Sequence, residues 1–240
     1  MSPVLPSLVP EPLLVADRGA SGHEAPDTVE AYRLALRLGA TALGGTVWAT
    51  ADGRAVVRGD DRLGRFGRRR LRDVARADLP DGVVDVAGLL QLAGAAVPLL
   101  LDVADPAAVD DVAGLAGGSG AGVWVCGADL EVLAGWQAAH PGLRSVWTTG
   151  LRQAPAGPER AAARLRDAGI DAIRLRHDEW SGGLTTLVHR FGRLAFAGGV
   201  DHVRIAAALV RMGIDGMWSP FPDRLADAAG VGPGPVGADG

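Results

Sequence analysis

Residues 172–219 read AIRLRHDEWSGGLTTLVHRFGRLAFAGGVDHVRIAAALVRMGIDGMWS. Three short β-type runs, Ala172–Leu175, Arg193–Ala197 and Gly216–Ser219, are separated by two segments of helical spacing, Leu184–Arg190 and His202–Met212. A strand that follows each helix and pairs beside the previous strand runs parallel to it, so this stretch predicts βα units joined by crossovers.

The same alternation continues toward the N-terminus. Strand-like runs lie at Leu13–Ala16, Leu43–Trp48, Val97–Val103, Gly122–Val125 and Arg144–Thr148. Helical patterns lie at Thr28–Leu38, Val84–Leu92, Val109–Leu115, Leu130–Ala139 and Pro158–Ala168. Ala55–Val57 follows the turn Ala51-Asp52-Gly53 and reads as an extra strand hairpinned onto the second. Setting it aside leaves eight strands, the number that closes a (β/α)8 TIM barrel of about 250 residues. An open doubly wound sheet is the alternative, but no G-x-G-x-x-G turn follows the first strand.

The expected organisation is an N-terminal extension at 1–12, one barrel domain at 13–229 and a flexible tail at 230–240. The first twelve residues contain four prolines and, like the tail GVGPGPVGADG, read as unstructured. They lack the basic n-region of a signal peptide, and no apolar run approaches the roughly 20 residues of a membrane span. A cytoplasmic protein without a transmembrane segment is therefore expected. The chain has 240 residues and a net charge of −4, and a single cysteine, Cys126, which excludes an internal disulfide framework. Nucleic acid is not an expected partner. The one dense basic stretch, Arg58–Arg72, is interrupted by Asp60 and Asp61 and reads as a solvated loop.

The polar residues concentrate after the strands. Asp17-Arg18-Gly19-Ala20-Ser21-Gly22 follows the first strand, and Pro26-Asp27-Thr28 opens the first helix. Downstream come Gly39-Ala40, Thr50-Ala51-Asp52-Gly53 and Val56-Val57-Arg58-Gly59-Asp60. Val97-Pro98-Leu99-Leu100-Leu101-Asp102-Val103 and the segment GIDGMWSPFPD at 213–223 complete the series. This ordered set resembles the glycerophosphodiester phosphodiesterase family, whose motifs are HRGASG, PENT, GADGIELDV, TKDG, VVHHD, PLNIELK and LGVDGIITDYPD. The resemblance implies a (β/α)8 barrel, in agreement with the strand count. It also implies metal-dependent hydrolysis of glycerophosphodiesters to glycerol 3-phosphate and an alcohol. In that mechanism a divalent cation and an arginine hold the phosphodiester, while two histidines transfer protons.

Carried over position by position, most of that machinery is replaced. The first histidine falls on Asp17 and the second on Gly59; the acids of ELD fall on Gly44 and Thr46. The glutamate of IELK falls on Asp102 and its lysine on Ala104, and the glutamate of PENT falls on Pro26, with Asp27 and Glu24 beside it. Arg18 alone is unchanged. The resemblance thus implies a retained scaffold with lost catalysis, a pseudoenzyme binding a small anionic or phosphate-containing ligand, or a protein partner. The alternative is a residual phosphoric diester hydrolase using Asp17, Arg18 and Asp102.

The candidate set follows. Asp17 and Arg18 hold the catalytic positions, and Arg18, Thr46 and Asp102 would bind an anion. Asp102 would ligate a metal only if Mg or Ca is bound; otherwise no cofactor is expected. An arginine at a strand end requires a counter-charge, and Asp17 and Asp102 are the expected partners, with the amides of the Gly19–Gly22 turn pointing inward. His23 and His177 lie near the same end, Trp48 and Trp218 are expected to fill space vacated by catalytic groups, and Cys126 reads as an inert thiol.

Overall fold

The computed structural model describes residues 4–64, 68–120, 122–153 and 157–232. Eight parallel strands close on themselves: β1 (Leu13–Asp17), β2 (Ala42–Ala49), β6 (Leu99–Val103), β7 (Val123–Gly127), β8 (Arg144–Thr148), β9 (Ala172–Arg176), β10 (Leu194–Gly198) and β11 (Gly216–Ser219). Closure is made by β1, which pairs with β2 through Val15–Ala42 and with β11 through Val15–Trp218. The expected eight-stranded barrel is present. β3 (Ala55–Val57) runs antiparallel along the outer end of β2, as the Asp52-Gly53 turn predicts.

Helices α1 (Val29–Arg37), α2 (Val86–Ala93), α3 (Val109–Ser119), α4 (Leu130–Ala139), α5 (Pro158–Asp167), α6 (Gly182–Arg190) and α7 (Val203–Arg211) surround the strands. Several start where a short polar side chain satisfies a free N–H of the first turn: Thr28 accepts from Ala31, Asp85 from Gly88, Asp129 from Val132 and Ser181 from Leu184. Strand alternation then sorts the apolar residues into two layers. Leu14, Leu43, Leu101, Val125, Ile173 and Leu175 face the helices. Val15, Leu100, Trp124, Val146, Phe196 and Trp218 face inward and fill the lumen.

That lumen is a packed core. The Phe196 ring lies 5.6 Å from Trp124 and 5.4 Å from Trp218, both tilted. Gly216 makes the packing possible, because a Cβ there would come within 2.8 Å of the Phe196 ring.

Three features depart from the sequence reading. A helix, α8 (Pro222–Ala229), follows the last strand, with Pro222 in its first turn and Gly230 in the left-handed conformation at its end. The basic stretch carries a two-stranded ribbon, β4 (Arg62–Leu63) and β5 (Arg69–Arg70), rather than an irregular loop; residues 65–67 lie outside the described set. The proline-rich start is fastened to the barrel: Leu5 N–H donates to Arg211 O, and Ser7 Oγ and Leu8 N–H donate to Asp215. The tail at 233–240 lies outside the described residues. None of the described helices is long and apolar enough to cross a membrane.

Candidate functional site

The C-terminal strand ends form the mouth of the barrel, the end at which (β/α)8 proteins place their chemistry. Alternation carries the inward face upward by two residues on each strand, from Val15 to Asp17, Leu100 to Asp102, Val146 to Thr148 and Ala172 to Arg174. Thr46, four residues beyond Ala42, stands beside Asp102 in the β2–β6 register. The structure therefore brings Asp17, Thr46 and Asp102 to one end, as expected. Arg18 follows β1 at that same end.

The ion pairs differ from the expected ones. Arg18 pairs with neither Asp17 nor Asp102. Its Nε and Nη2 both donate to Asp27 Oδ2, at 2.8 and 2.6 Å. Two positive φ angles produce this arrangement, 58° at Arg18 and 61° at Asp27, which turn the loop so that Asp27 N–H also donates to Arg18 O. Asp27 is nearly buried and lies 3.5 Å from the Tyr32 hydroxyl, which also donates to Gly44 O at 3.3 Å. The hydrogen bonds that Arg18 donates to Asp27 outweigh partial burial and raise the Arg18 pKa. Burial also pushes the Tyr32 phenol well above its ordinary value. Two of the turn amides are engaged elsewhere: Ala20 N–H donates to Ala31 O and Gly22 N–H to Pro220 O.

Asp102 is taken by a residue absent from the expected set. Arg174 reaches across the lumen from β9, and its Nη1 and Nη2 donate to the two oxygens of Asp102, the former at 3.1 Å. Burial opposes the Arg174 charge, but the Asp102 carboxylate more than offsets it and raises its pKa. The strand AIRLR carries the signal that would have found it. Ile173 and Leu175 face the helices, so Arg174 has to face the lumen, where a cation needs a partner.

Asp17 sits between these pairs. Burial, then the Asp102 charge, raises its pKa, while Arg174 and Arg18 pull in the other direction. The positions at which the resemblance would place a histidine and an acid, Gly59 and Gly44, are closely approached by neighbouring side chains. A Cβ on Gly59 would lie 2.3 Å from Arg18 Nη2, so the guanidinium covers that position. A Cβ on Gly44 would lie 3.3 Å from Trp218 Nε1, which agrees with the expected space-filling role of Trp218. Trp48 instead packs with the β3 hairpin, its Nε1 donating to Arg58 O.

The remaining candidates are peripheral. His23 Nε2 lies 2.9 Å from Asp223 Oδ1, with its ring edge-on to Phe221, so it joins the first loop to α8. His177 lies in a short helical turn after β9. The Cys126 thiol is buried, and desolvation raises its pKa, as befits an inert group. Two buried polar atoms of the mouth layer, Trp218 Nε1 and Thr148 Oγ1, lack a hydrogen-bond partner among the described residues. A cavity of about 230 Å³ lies beside the mouth, between Trp48, Arg70, Arg72 and Asp105.

These residues do not fit a divalent cation. No three His, Cys, Asp or Glu side chains converge among the described residues. A hard cation needs several oxygen ligands; here Gly44 offers no side chain and Arg174 holds both oxygens of Asp102. The role of Asp102 as a metal ligand is thereby replaced by an ion pair.

Fold and site together define a single-domain (β/α)8 protein with its polar constellation at the strand C-termini. Solved glycerophosphodiester phosphodiesterases share this fold. The enzyme from Thermotoga maritima superimposes with a TM-score of 0.78 at 18% identity, over 90% of this chain and 97% of that one. One from Agrobacterium tumefaciens gives 0.70 at 21%, over 89% and 98%. An Oleispira antarctica phosphodiesterase solved with its product sn-glycerol-3-phosphate gives 0.77 at 16%, over 91% and 96%. At these identities the likeness is one of fold. No family model matches the chain, and no curated protein matches it by sequence.

Proposed function

We propose that this chain is a glycerophosphodiester phosphodiesterase-like barrel that has lost hydrolysis and binds a small oxyanion, such as a phosphate ester of glycerophospholipid metabolism. The observation that carries this reading is the covering of the second histidine position: Arg18 lies over Gly59, and Asp27 holds it there. Two proton-transfer groups normally contribute about 10²–10⁴-fold each, and neither histidine is present. Ligand binding is supported by Arg18 itself. Its side chain is 38% exposed, and both of its hydrogen bonds go to one oxygen, which leaves Nη1 open to an oxyanion. The unpartnered Trp218 N–H and Thr148 hydroxyl are further places for ligand oxygens.

A residual hydrolase using Asp17, Arg18 and Asp102 is the second reading. The raised pKa of Asp17 favours it, because raised proton affinity moves a carboxyl toward the role of a general acid. Calorimetry with sn-glycerol 3-phosphate and an assay with glycerophosphocholine separate the two. The binding reading expects saturable uptake that falls about tenfold or more in Arg18→Ala, and no hydrolysis with Mg²⁺, Ca²⁺ or Mn²⁺. Turnover within about a hundredfold of 10 s⁻¹, lost in Asp17→Asn, would establish the enzyme instead.

A further inference from the structure

The mouth layer places two carboxylates on separate strands, Asp17 on β1 and Asp102 on β6, with the side-chain-free Gly44 on the intervening β2. Two acids converging in a lumen with apolar walls repel one another unless a cation stands with them. The cation in this barrel is covalently part of it. We propose that the Arg174 guanidinium is the resident cation of the mouth, standing in the role that a divalent ion fills in hydrolytic barrels of this fold, so that the charge balance of this site needs no metal. The inference rests on reading the chain as a divergent phosphodiesterase-like barrel.

Geometry supports it from each element that faces the guanidinium. On β6, Asp102 engages it through both oxygens, the planar fork arrangement that arginine forms and lysine does not. On β11, the Trp218 ring lies 4.8 Å from the guanidinium carbon, and its electron-rich face favours a cation there. On β1, Asp17 lies within the reach of the same charge. On β7, the buried Cys126 thiol is the nearby titratable group and is neutral at ordinary pH. On β8, Thr148 is the register neighbour of Arg174. The Arg174 side chain is only 12% exposed. An entering metal would therefore have to displace two charge-assisted hydrogen bonds and leave a largely buried guanidinium unpaired, a costly exchange.

The test uses Mn²⁺ as the probe, with electron paramagnetic resonance reporting free ion and a thermal midpoint reporting the fold. Wild type is expected to take up no Mn²⁺ saturably at millimolar concentration, and its midpoint should not respond to Mn²⁺ or to EDTA. Arg174→Gln keeps part of the stem, removes the positive charge near Asp17 and frees the Asp102 carboxylate. It is expected to lower the midpoint, to bind a single Mn²⁺ at millimolar concentration, and to recover stability as it does so. Adding Asp102→Asn should abolish that uptake. If Arg174→Gln does not fold, the pair Arg174→Ala with Asp102→Ala removes the stranded carboxylate as well and should fold; its failure would overturn the proposal. Saturable Mn²⁺ binding by wild type that is lost in Asp102→Asn would overturn it too. So would a folded Arg174→Gln variant with an unchanged midpoint and no Mn²⁺ uptake. Hydrolysis that persists in EDTA would sink the non-catalytic reading but leave the place of Arg174 standing, so the two failures are distinguishable.

Discussion

At the floor of the barrel the Asp215 carboxylate accepts four hydrogen bonds, from Ser7 Oγ, Leu8 N–H, His189 Nε2 and Ala195 N–H, at 2.6–2.7 Å. At the mouth, Asp102 is held by a single guanidinium, Arg18 leaves one nitrogen open, and Asp17 is partly buried with its proton affinity raised. Both ends bury acids, but only the floor satisfies its acid from every side. Burial opposes ionisation of Asp215, yet the hydrogen bonds from His189, Ala195 and Ser7 win, and its pKa is lowered. Among the described residues, the mouth also holds the two non-glycine residues with positive φ, Arg18 and Asp27, and the unpartnered Trp218 and Thr148. Backbone strain, with the unpartnered Trp218 and Thr148 facing the lumen, marks that end as the site; the floor has one unpartnered buried atom of its own, Arg193 Nε, but there Asp215 is a structural latch that holds the N-terminal segment over Gly213.

The contrast can be broken by substitution. Asp215→Ala should have the largest effect, a loss of about 3–5 kcal/mol in urea denaturation, because it strands the nearly buried His189 and the buried Ala195 amide and unfastens Ser7 and Leu8. A lowered folded-state pKa also means that the stability Asp215 supplies is present above its ordinary value of 3.8 and fades as pH falls below it. An acid titration of wild type should therefore lose a component that is missing from Asp215→Asn. If Asp215→Ala proves milder than any mouth variant, the division of labour argued here is wrong.

Arg174→Ala should come next, at about 2–3 kcal/mol, below the floor value because Asp102 is one-third exposed and water can solvate it once freed. Arg18→Ala should lower stability by about 1–2 kcal/mol, because it strands the Asp27 carboxylate, which is only 7% exposed, and it should also weaken oxyanion binding.

The smallest effect should be a gain. With its pKa raised in the folded state, Asp17 keeps a proton that the unfolded chain releases, so stability falls as pH climbs from 3.8 through the folded value. Asp17→Asn should flatten that fall and raise neutral-pH stability by less than about 1 kcal/mol, measured by denaturation at pH 4 and pH 7. A loss of stability at neutral pH would mean that ionised Asp17 is needed to balance Arg174 and Arg18.

Much of the architecture follows from local pattern alone. Alternating strands and helices, caps such as Thr28 and Ser181, and the Asp52-Gly53 hairpin require only neighbouring residues, and they place Arg18, Thr46 and Asp102 at strand ends. The absence of side chains at Gly44 and Gly59 is equally a property of the sequence. Helix α8 was legible too, in the Pro222 and Gly230 that bracket it, although those residues also read as turn punctuation. The pairing of charges was not legible. Arg174 and Asp102 stand 72 residues apart and meet only because the sheet closes and brings β9 opposite β6 across a narrow lumen. Arg18 turns away from Asp17 and Asp102 because the left-handed backbone at Arg18 and Asp27 folds the loop back on itself, which residue spacing does not encode. Strand periodicity decides which side chains face inward; barrel closure and loop conformation decide which opposite charge each one meets there.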